Sequence, residues 1–398
     1  MLDSLEATGK DRLMDERRAS IRREFEGVFG RAPALWSRAP GRVDLMGSHT
    51  DYNEGYILTM PIDRDVWIAA SPSDKERCWV YSMNLGDGGE FSLENFAVPR
   101  SKEWLKYVAG VGKVLTEEGL AVKGFDAVIH STVPIGGGLS SSAALEAATA
   151  MLFQALGGWS IPKGRLARLC QRAENQFVGV NCGILDQYTS ILGEAGCAIL
   201  LDCRKLSHQV VKLPSDLRAV ICNTNAPRQL SGSQYGTRRA QCEEGARILA
   251  KVLPNVKTLR DVDREQFEAH KKDLPEVVAK RCRFIIEENQ RVLDLASALE
   301  EDDRETIGNL CKESFAGARD LYEISIPAME GMIRAMRSAP GAVGARQAGA
   351  GFGGCMIAWV VADQVEEFKA HVSKMYEENT GIHPEIYAVE AGSGAGFI

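Results

Sequence analysis

Hydrophobic and polar positions change their period several times along the chain. Between residues 13 and 29, Leu13, Ile21, Phe25, Val28 and Phe29 recur among charges, which predicts an amphipathic helix. A Gly-punctuated stretch at 41–50 follows, then the apolar run 56–60. Segments 66–70, 79–81 and 125–130 read as strands, with Gly86-Asp87-Gly88-Gly89 as a turn. Residues 141–157 are Ala, Leu, Glu and Met with few breakers, which predicts a helix. Strands are expected at 198–202 and 219–223, and 238–336 is mostly helical in pattern. A Gly/Ala-rich stretch at 341–354, a strand at 355–361, a helix at 363–376 and a strand at 385–389 complete the pattern. Intermixed strands and helices favour an α+β or α/β class over all-α.

At 398 residues, and about 100–200 per domain, the chain is long enough for two or three domains or lobes. The lobe boundary is expected near 205–220. Lys plus Arg number 47 and Asp plus Glu 54, a net charge of −7. That balance argues against a broad nucleic-acid or anionic-membrane footprint. It leaves phosphate binding open, because backbone N–H groups bind phosphate without net positive charge. Ten cysteines contain no Cys-x-x-Cys pair, so a zinc ribbon or thioredoxin motif has no support. With no apolar signal region at the start and no run of 18 apolar residues, a reducing cytoplasmic location is expected.

Four segments carry candidate chemistry. Pro134-Ile135-Gly136-Gly137-Gly138-Leu139-Ser140-Ser141-Ser142-Ala143-Ala144 lies between an expected strand and an expected helix. Its glycines permit close backbone approach, and a helix start attracts anions. It is neither a Walker A motif nor a dinucleotide fingerprint. Gly41-Arg42-Val43-Asp44-Leu45-Met46-Gly47-Ser48-His49-Thr50-Asp51-Tyr52 concentrates hydrogen-bonding groups suited to a polyhydroxylated ligand. Asp186 in Gly183-Ile184-Leu185-Asp186-Gln187-Tyr188 is an acid in an apolar stretch and needs a partner or a helix to cap. Gly349-Ala350-Gly351-Phe352-Gly353-Gly354 is a second Gly-rich loop. Taken singly, each segment also reads as a turn, cap or solvated loop.

In this order and spacing the four segments resemble the GHMP kinase superfamily, and specifically the galactokinase family. Further similarity lies in Ala173-Glu174-Asn175-Gln176-Phe177, Leu201-Asp202-Cys203-Arg204 and Gly232-Ser233-Gln234-Tyr235. The resemblance implies a two-lobed α+β fold, residues 1–210 and 211–398, with the active site in the cleft between lobes. It implies ATP-dependent phosphorylation of a sugar's anomeric hydroxyl. Asp186 matches the base and Arg42 the cation that stabilises transition-state charge. Gly136, Gly137, Gly138, Leu139, Ser140, Ser141 and Ser142 match the ATP-phosphate cradle, and Trp104 and Tyr107 the segment beside the nucleotide base. Ser142 and Glu174 match the Mg²⁺ ligands. Ser48, His49, Thr50, Asp51, Gly183 and Tyr235 match the sugar side. The partners implied are a sugar and ATP, with no nucleic acid and no membrane.

The chain departs from the family in three places. Ser48 stands where galactokinases usually carry a Glu that contacts the C6 hydroxyl, and Asp44 where Asn is usual. Ala328-Met329-Glu330 replaces the usual Glu-Leu-Asp. Plant-type arabinokinases are similar in having Asp at the Asp44 position and no Glu at the Ser48 position. The expectation is therefore a galactokinase-like sugar 1-kinase, with L-arabinose or another galactose-configured sugar as the alternative substrate. A non-catalytic sugar and ATP sensor is disfavoured, because Asp186, Arg42 and Ser140-Ser141-Ser142 are all present.

Overall fold

The computed structural model describes residues 2–135, 137–227 and 231–398. Among the described residues, twelve strands form two sheets. The first contains β1 (Leu35–Met46), β2 (Tyr56–Pro72), β3 (Arg77–Ser82), β4 (Asp87–Ser92), β5 (Phe125–Ser131), β6 (Cys197–Asp202) and β7 (Ser207–Lys212). The second, in the order β11-β8-β10-β9, contains β8 (Leu217–Asn223), β9 (Ala342–Gln347), β10 (Cys355–Val361) and β11 (Glu385–Val389). The last strand, β12 (Gly396–Phe397), returns to the first sheet and pairs with β1 at Ser37 and Arg38. All pairings are antiparallel except β3 with β5. The fold is α+β with mixed sheets and helices.

The helices divide likewise. The Ala-rich α3 expected at 141–157 is present and lies on β1 and β2. The first sheet carries α1 (Leu2–Phe29), α2 (Lys106–Glu117), α3 (Ser141–Gly157), α4 (Lys163–Ala173) and α5 (Leu185–Leu192). Ala144, Ala147, Ala148 and Leu152 of α3 are fully buried. Small side chains let the helix approach the sheet closely, while Phe153 and Phe125 fill the space beside it. The second sheet carries α6 (Ser231–Leu249), α7 (Arg264–His270), α8 (Glu276–Glu300), α9 (Arg304–Asp320), α10 (Pro327–Ser338) and α11 (Val365–Thr380) on or around it. Helix α8 touches β1 and β2 as well as α9, so it joins the two halves.

Several expectations are corrected. The runs 56–60 and 66–70 are one long strand, β2, which pairs with β6 at one end and β5 at the other. Asp87–Gly89 belong to β4, and the turn lies just before them. Arg42 and Asp44 are in β1 rather than in a loop. The expected division at 210 falls inside β7, whose pairing with β6 runs to Lys212. None of the ten cysteines is part of a disulfide. Among the described residues no helix is long and apolar enough to cross a membrane.

Candidate active site

Gly41 brings the first two motifs into contact. A Cβ there would sit 2.6 Å from the Leu139 carbonyl oxygen, and the Arg42 N–H donates to that same oxygen at 3.1 Å. The Gly-rich loop therefore lies directly on β1. From the other half, the Cys355 thiol at the start of β10 donates to the Gly137 carbonyl at 2.7 Å. Gly136 lies outside the described residues.

Asp186 is the second residue of α5 and caps nothing. Its Oδ1 accepts from Arg42 Nε at 2.8 Å and lies 2.6 Å from Arg42 Nη2. Its Oδ2 accepts from Ser140 Oγ at 2.5 Å. Arg42 Nη1 also donates to the Gly138 carbonyl at 2.9 Å. Ser140 adopts a left-handed backbone, φ 58°, where the loop enters α3, and that turn aims its hydroxyl at Asp186 instead of at the helix end. The expected base, cation and first serine thus form one hydrogen-bonded group.

Glu174 opens a π-helical turn, Glu174–Val178, that continues α4. It is 5% exposed and accepts from Gln187 Nε2 at 2.5 Å, from the Cys182 thiol at 3.3 Å, and from Ser142. Burial raises its pKa, hydrogen bonds from Cys182 and Ser142 oppose the rise, and Asp186's charge adds to it. Glu146, on α3, is fully buried and takes the other Gln187 amide hydrogen at 2.9 Å. Burial and then Glu174's charge push its pKa up. Its Oε1 has no hydrogen-bond partner among the described residues. The buried Glu174 carboxylate beside the Ser142 hydroxyl fits a hard divalent cation held through oxygen.

A cleft of about 1010 Å³ opens beside Arg42 and Gly138 and is lined by Asp51, Gly183, Tyr235, Gly349 and Gly351. Asp51 begins a short 3-10 turn, and a Cβ on Gly183 would meet its Oδ2 at 2.4 Å, so only glycine leaves room for that carboxylate. Burial pushes the Asp51 carboxyl up to about 6; the Tyr52 N–H opposes this, and the charges of Asp44 and Asp186 add to it. Tyr235, on α6, stands 5.5 Å from the Tyr52 ring.

Three of the residues expected on the sugar side do not line this cleft. Ser48 is buried, donating to Asp44 Oδ2 at 2.6 Å and accepting from Arg346 Nη2 at 3.2 Å. Thr50 is fully buried and donates to the carbonyls of Gly47 and Tyr56. His49 pairs with the Tyr52 hydroxyl and the Ala350 carbonyl and packs between Tyr235 and Tyr322. Burial lowers its pKa to about 4, which leaves it neutral at pH 7. His49 thus ties the first motif to the third, Ser48 ties it to Arg346, and Thr50 closes the first motif's own turn. Trp104 is held by Asp87 at 3.0 Å, and neither Trp104 nor Tyr107 lines the cleft. Tyr107 does lie within the field of Glu174 and Glu146, which, after burial, raise its pKa. Glu146, missed in the sequence, had a signal: it is the lone acid in an Ala- and Leu-rich helix.

Comparison with known proteins identifies relatives over nearly the whole chain. Residues 106–194 match the GHMP kinases N terminal domain, 295–378 the GHMP kinases C terminal domain, and 23–72 the galactokinase galactose-binding signature. Galactokinase of Roseiflexus sp. (strain RS-1) is 41% identical over 379 residues, covering 95% of this chain and 96% of that one. Galactokinase of Chloroflexus aggregans is 40% identical, covering 96% and 97%. The crystal structure of Lactococcus lactis galactokinase complexed with galactose superposes with a TM-score of 0.89 at 33% identity, covering 96% of this chain and 99% of that one. The mevalonate kinase of Methanococcus jannaschii, at 17% identity and a TM-score of 0.62, shares the fold.

Proposed function

The chain belongs to the galactokinase family of GHMP kinases and is a sugar phosphotransferase, and on that premise we propose that it carries the γ-phosphoryl group of ATP to the anomeric hydroxyl of D-galactose. The observation that carries this reading is the Arg42–Asp186–Ser140 group, whose Arg42 lines the cleft. Asp186 takes the proton of the anomeric hydroxyl as that oxygen attacks phosphorus, and galactose 1-phosphate and ADP result. Arg42, fixed on both Asp186 and the Gly138 carbonyl, offsets negative charge at the transferring group without reorganising. Backbone N–H groups of the Gly137–Ser140 loop and the start of α3 are suited to the ATP phosphates. Asp51 accepts from sugar hydroxyls, and Tyr235 walls the same side. A wrong epimer would leave that acceptor unpaired.

Ser142 and Glu174 are the residues that would hold Mg²⁺. When bound, the ion supplies neutralisation of phosphate charge. Trp104 and Tyr107 lie outside the sugar cleft and remain the candidates for the nucleotide-base side, Tyr107 standing in the field of Glu174. Ten cysteines outside any disulfide suit a reducing, cytoplasmic setting.

An ADP-release assay over D-galactose, L-arabinose, N-acetylgalactosamine and D-galacturonate tests the substrate. D-galactose is expected to give the highest kcat/KM. A second reading, an L-arabinose kinase, draws on Ser48: with its hydroxyl committed to Asp44 and Arg346, residue 48 offers no carboxylate to a sugar C6. Preference for the pentose would favour that reading. Asp186→Ala should lower kcat by at least about 10²-fold with ATP affinity nearly intact. Unchanged turnover would remove Asp186 from its role.

A further inference from the structure

Gln187 follows the proposed base directly in sequence yet points the other way, into the interior. It is fully buried, and its Nε2 donates to two carboxylates at once, Glu174 Oε2 at 2.5 Å and Glu146 Oε2 at 2.9 Å. An amide nitrogen has two hydrogens fixed in one plane, so meeting both acceptors sets the angle between them. Its Oε1 has no hydrogen-bond partner among the described residues, so the orientation is set from the Nε2 side, by the two carboxylates and, at 3.9 Å, the Cys182 sulfur. The Cys182 thiol falls on the same Glu174 oxygen, which leaves Oε1 of Glu174 for a cation or for the Ser142 hydroxyl.

We propose that Gln187, held in turn by Glu146, is a positioning residue that orients the Glu174 carboxylate toward the divalent cation of the bound nucleotide. The inference rests on the kinase reading above. It places the base and the metal-side clamp on adjacent residues of α5, so one helix start sets both Asp186 and Glu174. Glu146 itself is too deeply buried to be a ligand; it gives the amide a second anchor, without which Gln187 could rotate. Partners of metal ligands typically change metal affinity by about 10–100-fold when removed.

The test is Mn²⁺ affinity in the presence of a non-hydrolysable ATP analogue, followed by electron paramagnetic resonance on the folded chain. Gln187→Met keeps the length and removes both hydrogen bonds; about 10–100-fold weaker Mn²⁺ binding is expected, with D-galactose affinity unchanged. Glu146→Gln keeps an acceptor for the amide and should bind Mn²⁺ as the native chain does, whereas Glu146→Leu should be weakened. Mn²⁺ affinity within twofold of native in Gln187→Met overturns the proposal. If that variant does not fold, equal Mn²⁺ affinities in Glu146→Gln and Glu146→Leu overturn it instead. Sugar phosphorylation by the unaltered chain tests the kinase reading separately, so the two failures are distinguishable.

Discussion

Asp51 answers to opposed demands. Its carboxyl is pushed up to about 6, first by burial, against the opposing Tyr52 N–H, with Asp44 and Asp186 adding to the rise. As a hydroxyl acceptor it must be ionised, so kcat/KM for the sugar should fall with a one-proton slope as pH drops through about 6. A pH profile flat between 5 and 7 would exclude that role. Stability runs the other way: a pKa raised above the ordinary 3.8 makes protonation favour the folded state. That contribution is full below 3.8 and lost as pH rises through about 6. Gly183 belongs to the same contact. Gly183→Ala forces a Cβ to 2.4 Å from Asp51 Oδ2, and a displaced carboxylate should raise the sugar KM by about 10–100-fold with ATP KM unchanged. Steady-state kinetics with each substrate varied in turn checks it. Asp186, Arg42, Asp51 and Gly183 are singled out by the resemblance of their motifs to the galactokinase family, and the structure brings Arg42 onto Asp186 and Asp51 against Gly183. The inward turn of Ser48 and His49 is not legible, because it depends on Arg346 and Ala350, some 300 residues away, while Thr50 turns onto the nearby carbonyls of Gly47 and Tyr56.

At the scale of elements, what could be read followed local pattern. Helix α3 was expected at 141–157 and is found there, since composition alone specifies it. Strands β7 and β9 were missed: β7 is largely exposed and β9 sits in a Gly/Ala run, and each exists because β6 or β10 pairs with it. The π-helical turn at Glu174–Val178 has no local signature either, since its extra residue re-aims Glu174 into a tertiary contact. The junction of β1 with the Gly-rich loop makes a further prediction. Gly41→Ala puts a Cβ 2.6 Å from the Leu139 carbonyl and must push the loop off the strand. The Arg42 N–H to Leu139 hydrogen bond goes with it. ATP affinity measured calorimetrically should fall by about 10-fold or more, with sugar affinity changed far less. Equal losses for both ligands would mean general unfolding rather than a displaced loop.

The two sheets are joined by a buried cluster that spans the molecule. Arg346 leaves β9, donates to the Leu45 carbonyl at 2.7 Å and to Ser48, and lies 3.2 Å from Glu288 of α8. Glu288 also meets Arg291 at 2.8 Å and accepts from Ser314 of α9 at 2.7 Å. Burial raises the Glu288 pKa, but Arg291 and Arg346 together outweigh it and the net direction is down. Asp44, 3.9 Å from Arg346, is the fourth charge. Two buried guanidiniums thus face two buried carboxylates, and Glu287, 3.7 Å from Arg291, is balanced by Arg283 at 2.8 Å, so the cluster is neutral. That neutrality ties the two departures at Ser48 and Asp44 together. A Glu at 48 would add a third carboxylate to a site with only two cations, and an uncompensated buried charge costs about 3–5 kcal/mol. Ser48→Glu alone should therefore lower the urea midpoint strongly. Asp44→Asn in the same chain removes one carboxylate and should recover most of the loss, a coupling that a double-mutant cycle measures. Additive losses would show that positions 44 and 48 are independent. Recovery would mean that the residue at 44 sets what the chain tolerates at 48, and so which side chain stands behind the sugar loop.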